Sequence, residues 1–321
     1  MRVTGIHHVS SLTAHAKENL AFYTGVLGMR LVKKTVNQDD VSSYHLFYGD
    51  EIGSPGTELT FFDIPHAGAN QPGSRSISSI GLTVGDRAAL GYWQARLAEW
   101  GVDHDPIGSV AGRPTLAFRD PEGLRLVLTV DEDSPGRKTP WPKSPVPAEA
   151  AILGLGPITL TVGEGTQTGR LLTELMGFEE RASREAALDH GGERRVFTTG
   201  SGTAAEEVHL EVRPELATER LGSGGTHHVA FRVPDDAEHR AWLDLLERAG
   251  VRNSGLIDRY YFRSIYFREP SGILFELATD GPGFLTDEDA DRLGERLSLP
   301  PFLESRRAEI EAHLPALELP R

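Results

Sequence analysis

The feature that most limits what this chain can fold into is a unit of one strand, one helix and further strands that occurs four times. The first strands are expected at 8–13, 79–84, 157–162 and 228–233, each with apolar residues alternating along it. Amphipathic helices follow at 18–27, 87–99, 169–175 and 236–248, with helix-stopping glycines at Gly28, Gly101, Gly177 and Gly250. From the strand start to that glycine the spacing alternates, 20, 22, 20 and 22 residues (8 to 28, 79 to 101, 157 to 177, 228 to 250). Alternation points to a two-unit half that was duplicated. Each unit ends in a related tetrapeptide: Glu58-Leu59-Thr60-Phe61, Val127-Leu128-Thr129-Val130, His209-Leu210-Glu211-Val212 and Glu276-Leu277-Ala278-Thr279.

Gly5-Ile6-His7-His8-Val9 and Gly225-Thr226-His227-His228-Val229 are near copies at matching places in units one and four. On the strand after the turn Pro270-Ser271-Gly272, Glu276 lies on the face opposite Phe275 and Leu277. If each unit forms half of a cup, its start and end positions make one row: His8 and Glu58, Ser79 and Val127, Pro157 and His209, His228 and Glu276. Ligating groups concentrate in units one and four, so those two must share a cup and the middle pair must form a blank one. Pairing units three and four would instead offer His209, His228 and Glu276, but leaves the histidines of unit one without a purpose. Two imidazoles and one carboxylate, His8, His228 and Glu276, suit Fe(II) with open positions, and Mn(II) also suits them. Strict alternation would turn His7 and His227 away from their neighbours, as supporting groups behind the ligands. The run 258–268, rich in aromatics and arginine, can supply a phenol and a guanidinium for an anionic aromatic substrate, or merely packed rings and snorkelling arginines.

With 321 residues the chain is long enough for two domains. We expect a boundary in the proline-rich stretch: 1–135 with units one and two, a linker at 136–149, 150–282 with units three and four, and a helical tail at 283–321. Within unit three the charged stretch 179–192 is expected to be exposed. Two tail helices are expected, 287–297 and 301–312, as a packing or dimer element (hence a homo-oligomer) or as a lid. The net charge of −14 argues against nucleic acid or an anionic membrane as partner. The chain has no cysteine, so thiolate chemistry is excluded. No apolar run approaches membrane-spanning length and the first strand begins near the first residue, so the expected compartment is the cytoplasm.

The sequence resembles the vicinal-oxygen-chelate superfamily (glyoxalases, bleomycin-resistance proteins and dioxygenases). Within it, the chain is similar to the ring-cleaving dioxygenases of hydroquinones, of the MhqO and chlorohydroquinone 1,2-dioxygenase types. The resemblance rests on the two His-His strings, on 31–37, 44–50, 53–57 and 59–62, and on 258–280. It implies an α+β fold of four βαβββ modules in two cupped mixed-sheet barrels, modules one and four sharing the metal-bearing one. It also implies Fe(II) on His8, His228 and Glu276, with His7, Ser10, His227, Arg259 and Tyr266 around them; Ser10 stands where Thr is common. A small aromatic diol and dioxygen would be the substrates, His227 the acid–base group, and Arg259 and Tyr266 would steady developing negative charge. The competing expectation is a glyoxalase-like isomerase with Glu58 as fourth ligand. A metal-free drug-sequestering protein is a third, against which the intact ligand set argues.

Overall fold

The computed structural model describes residues 1–132, 139–181, 193–200 and 202–317. Its four modules are β1 (Ile6–Thr13), β2 (Arg30–Val36), β3 (Tyr44–Gly49) and β4 (Glu58–Asp63); β5 (Ser76–Val84), β6 (Gly108–Val110), β7 (Arg113–Arg119) and β8 (Arg125–Val130); β9 (Gly154–Val162), β10 (Glu179–Arg181), β11 (Glu193–Thr198) and β12 (Glu207–Val212); β13 (Thr226–Val233), β14 (Ile257–Asp258), β15 (Arg263–Arg268) and β16 (Leu274–Thr279). They assemble into two eight-stranded mixed sheets, β14-β15-β16-β13-β1-β4-β3-β2 and β10-β11-β12-β9-β5-β8-β7-β6. The first therefore joins modules one and four and the second joins modules two and three. Each sheet takes one module from either side of the 136–149 stretch.

The alternating spacing has a structural cause. Modules two and four carry thirteen-residue helices, α2 (Arg87–Glu99) and α4 (Asp236–Arg248), each capped by an aspartate, Asp86 and Asp235, that accepts backbone N–H bonds of the first turn. In modules one and three the helix is short, α1 (Ala16–Ala21) and α3 (Thr166–Arg170), and widens into a π-turn over Phe22–Val26 and Leu171–Leu175. The helices expected at 18–27 and 169–175 are thus half π-helical and begin earlier. All four stop glycines have left-handed backbone, φ between 67° and 77°, as a helix-ending turn demands.

Apolar faces of both sheets, with Trp93 and Trp242 from the long helices, meet in one continuous core. On the other face of the first sheet a smaller cluster of Val32, Phe47, Ala230, Ala278, Tyr261 and Phe262 is closed by Phe284 and Leu293 from the tail. The tail differs from expectation. Residues 287–297 form turns, not a helix, because Asp287 and Glu288 are drawn to the buried Lys33 and Gly294 sits on the Leu31 carbonyl of β2. Only Arg307–His313, after a 3-10 turn at Glu304–Arg306, is helical in the second segment. From 139 onward the linker is not loose either: Val146 is buried, and Ser144 donates to the Gly28 carbonyl at 2.7 Å. Of the charged stretch at 179–192, β10 is exposed and 182–192 lies outside the described residues.

Candidate metal centre

The site begins with two β-bulges. In the β1–β13 pairing, His7 is an extra residue between Ile6, opposite Phe231, and His8, opposite Ala230. His227 is the matching extra residue on β13, between Thr226, opposite Ser11, and His228, opposite Ser10. A bulge re-aims the side chains beside it, so the strict alternation expected of the His-His pairs does not hold. Instead of turning away, each first ring meets the second edge-on: Nδ1 of His7 lies 3.0 Å from Nδ1 of His8, and the His227–His228 distance is 2.8 Å.

These contacts orient the rings. His7 Nε2 lies 3.0 Å from the Thr279 carbonyl, which can only accept, so this nitrogen carries a proton. His7 Nδ1 stands between His8 Nδ1 at 3.0 Å and Glu58 Oε2 at 3.2 Å, and although burial opposes it the pull of Glu58 raises the His7 imidazole; His8 meets this pair with Nδ1 and turns its other nitrogen, Nε2, away. That nitrogen faces His228 Nε2 at 3.3 Å and Glu276 Oε2 at 3.2 Å, and the third side, His228 to Glu276, is 3.0 Å. His8, His228 and Glu276 are at most 3% exposed. Glu276 Oε1 accepts from Ser264, while Oε2 has no hydrogen-bond partner despite its two close nitrogens. The three atoms form one compact triangle that could hold a single metal ion. Adjacent ligands of a six-coordinate ion with bonds of about 2.1 Å stand about 3.0 Å apart. The triangle fits such an ion.

Charge states agree with this. Burial pushes the His8 imidazole down to about 4 against the pull of Glu276, and burial likewise takes His227 to about 3. Burial alone would raise Glu276, but the two imidazoles hold it well below the usual carboxylate range. A neutral His8 and an ionised Glu276 are the forms that bind a cation.

Glu58 stands elsewhere. The parallel register pairs His8 with Glu58 and Ser10 with Thr60, whereas His228 pairs with Leu274 and Ala230 with Glu276. The counterpart of Glu276 in module one is therefore Thr60, not Glu58. Glu58 Oε2 is 3.2 Å from Nδ1 of His7 and 4.0 Å from Nδ1 of His8, on the side of the ring away from Glu276. Spacing carried the signal: 8 to 60 and 157 to 209 are both 52 residues, 79 to 127 and 228 to 276 both 48. The alternative set of His209, His228 and Glu276 is not brought together, since β12 and β13 lie in different sheets.

A pocket opens beside His8 and His228, walled by Phe47, Phe62, Phe262, Tyr266, Arg259 and His45 among others. Arg259 gives Nε to the Tyr266 hydroxyl at 3.3 Å and both terminal nitrogens to Asp39 at 3.1 and 2.9 Å. Tyr266 meets the His228 ring edge-on at 5.8 Å. Ser10 is fully buried and reaches the pocket only through Thr60, at 2.7 Å. His45 and Asp39 were not foreseen. Both sit in or beside the strings that carry the resemblance, but neither stands in a repeated position.

The family model of the Glyoxalase/Bleomycin resistance protein/Dioxygenase superfamily matches residues 5–128 and 154–277. The chain belongs to this superfamily. It is 53% identical over 318 residues to MhqA of Bacillus subtilis (strain 168), assigned by name to the ring-cleaving dioxygenases, covering 99% of this chain and 100% of that one. A chlorohydroquinone/hydroquinone 1,2-dioxygenase of Sphingobium indicum is 30% identical over 313 residues, 96% of this chain and 95% of that one. A crystal structure of a protein from Bacillus subtilis subsp. subtilis str. 168, also assigned to the dioxygenases, superposes with a TM-score of 0.91 at 34% identity, over 100% of this chain and 99% of that one. Glyoxalase I of Zea mays, at 14% identity and a TM-score of 0.61 over 86% of this chain and 92% of that one, shares the fold. Among the described residues no helix is long and apolar enough to cross a membrane.

Proposed function

We propose that this protein is an Fe(II)-dependent dioxygenase that opens the ring of hydroquinone-type substrates, with His8, His228 and Glu276 as metal ligands. The observation that carries the reading is the buried triangle of two imidazole nitrogens and one carboxylate oxygen without a hydrogen-bond partner, with a hydroxyl, Thr60, where a fourth ligand would stand. Three ligands on one face leave positions for substrate and dioxygen, and bound Fe(II) supplies the electron transfer between them. The names of the relatives, ring-cleaving and hydroquinone dioxygenases, point the same way.

The chain's own groups have separable tasks. Phe47, Phe62 and Phe262 give an aromatic ring flat surfaces and keep water out. His227, the acid–base group that the resemblance implies, touches His228 at 2.8 Å but does not line the pocket, and burial takes it to about 3, so its task here is to orient the His228 ring as His7 orients that of His8. Tyr266, braced by Arg259, faces the charge that develops beside His228. Because Asp39 already holds the Arg259 guanidinium, that arginine braces rather than captures a free anionic substituent. His7, fixed by Thr279 and Glu58, keeps the His8 ring turned toward the ion.

The isomerase alternative needs a fourth carboxylate in the row, and Glu58 faces the wrong nitrogen of His8 to be one. Anaerobic loading with Fe(II), then oxygen uptake with methylhydroquinone and catechol as the control, tests the proposal. Rapid uptake with a ring-opened chromophore is expected. No uptake, with nickel- or zinc-dependent turnover of a methylglyoxal–thiol adduct, would replace it by the isomerase.

A further inference from the structure

The pocket has a polar end that the metal ligands do not account for. His45 on β3 projects into it with its ring held between Phe47 and Phe62, at centroid distances of 4.0 and 4.1 Å. Its Nε2 lies 2.9 Å from the Thr60 hydroxyl, which lies 2.7 Å from that of Ser10. Its other nitrogen makes no hydrogen bond to the described residues. Directly across the β2–β3 ladder from His45 stands Thr35, also a pocket residue, 2% exposed, whose hydroxyl has no hydrogen-bond partner. A buried hydroxyl without a partner is costly unless something binds there, and beside it the half-buried His45 offers a nitrogen that makes no hydrogen bond to the described residues.

Two larger polar groups of the wall are committed elsewhere: Arg259 to Asp39 and Tyr266, and Gln38 Nε2 to the Arg259 carbonyl. The Ser10–Thr60 pair can run in either direction, because each hydroxyl both donates and accepts. If Thr60 accepts from His45 Nε2–H, Nδ1 is an acceptor toward the pocket; if Thr60 donates, Nδ1–H is a donor. His45 can thus match a hydroxyl in either sense without taking a charge, and burial disfavours that charge strongly.

We propose that His45 and Thr35 bind the substrate hydroxyl that is not held at the metal, and so select rings with two hydroxyls over rings with one. The inference rests on the dioxygenase reading for the identity of the first hydroxyl. Ser10 and Thr60 are positioning residues that act through His45. This gives Ser10 a place in the site although it touches neither ligand atoms nor the pocket itself.

The test is binding, by titration calorimetry under argon, of hydroquinone and of p-cresol to the Fe(II)-loaded protein. The two ligands have the same shape, and p-cresol has a methyl where the second hydroxyl would be. Wild type should prefer hydroquinone by about tenfold or more, as expected for a hydroxyl that satisfies buried polar groups. His45→Phe should bring that ratio to below about threefold while leaving the dissociation constant of p-cresol within about threefold of wild type. Thr35→Val, nearly isosteric, should lower the ratio by a smaller factor, and His45→Asn, which keeps an amide near the Nδ1 position, should retain more of it than His45→Gln. An unchanged ratio in both His45→Phe and Thr35→Val overturns the proposal, as does equal weakening of both ligands. Failure of the dioxygenase reading shows separately, as absence of oxygen uptake by the wild type.

Discussion

The two sheets of this molecule have one architecture and opposite contents. Each joins two modules through an antiparallel pair of first strands, and each is irregular at two places there: at His7 and His227 in the first sheet, and at Ser78, the extra residue between Ile77 and Ser79, and again between Ile80 and Leu82, opposite Ile158 and Leu155, in the second. The row that reads His8, Thr60, His228 and Glu276 in the first sheet reads Ser79, Val127, Pro157 and His209 in the second. In the first, carboxylate oxygens of Glu58 and Glu276 are buried without a hydrogen-bond partner. In the second, Arg113 lies 2.9 Å from Glu207 and 3.3 Å from Asp131, and His209 turns to Glu207 at 3.2 Å. Its charges satisfy one another. A fold of this kind supplies equivalent positions, and whether a position becomes a site depends on whether its polar groups are left unpaired.

The sharpest way to break the comparison is to make the first sheet as blank as the second. His228→Ala should abolish stoichiometric metal binding and lower turnover by about a thousandfold or more, with a cooperative thermal transition retained. Metal analysis after gel filtration checks this, and a full metal complement in the variant would refute the ligand assignment. Glu276→Gln should behave likewise. Glu58→Gln should differ: metal stays bound, with affinity weakened by about tenfold, because only the bracing of His7 is disturbed. Competition with a metal chelator measures that gap, and equal losses in the two glutamine variants would put Glu58 in the coordination sphere.

Much of the first sheet was legible in the sequence because it repeats. A duplicated His-His string, four stop glycines and ligating residues confined to the two outer modules, which therefore pair with each other, follow the repeat, and periodicity is what a single chain displays. Glu58 entered the row because similar tetrapeptides were matched by residue type; the strand register follows distance along the chain and puts Thr60 there. His7 and His227 were misplaced because a bulge is one extra residue, invisible to an alternation rule. His45 and Asp39 were missed for another reason. Their roles arise where β3 and the 37–42 loop meet module four, and no local pattern records such a meeting.

A change in the second sheet should leave the chemistry alone. His209→Ala is expected to cost about 2 kcal/mol of stability, since one partner of the buried Glu207 is lost, with metal content and turnover unchanged. Denaturant unfolding beside an oxygen-uptake assay separates the two effects. A fall in metal content would mean that the second hollow is not blank.

The smallest effect is expected between the sheets, where the chain crosses from one to the other. The two connections, 68–74 and 217–223, form a short ladder: Asn70 N–H to the Ser223 carbonyl at 2.9 Å, and Gln71 and Arg220 exchanging bonds at 3.0 Å. Glu219 is half-buried in this ladder, and burial raises it to about 7 although Asn70 Nδ2 donates to it at 3.0 Å. An acid whose folded value lies above its unfolded value of about 4.5 holds a proton that the unfolded chain has released. Its contribution to stability is therefore present below about pH 4.5 and lost as pH rises toward 7. The partly exposed carboxylate is screened by solvent, so the loss should be about 1 kcal/mol rather than the larger figure the full shift would give. Glu219→Gln keeps an acceptor for Asn70 and should be more stable than wild type at pH 7.5 by that amount, with the difference vanishing near pH 4.5. Thermal unfolding of both proteins across this range checks the sign, and a difference that grows toward acid would show that the carboxylate is stabilised in the ladder rather than strained by it.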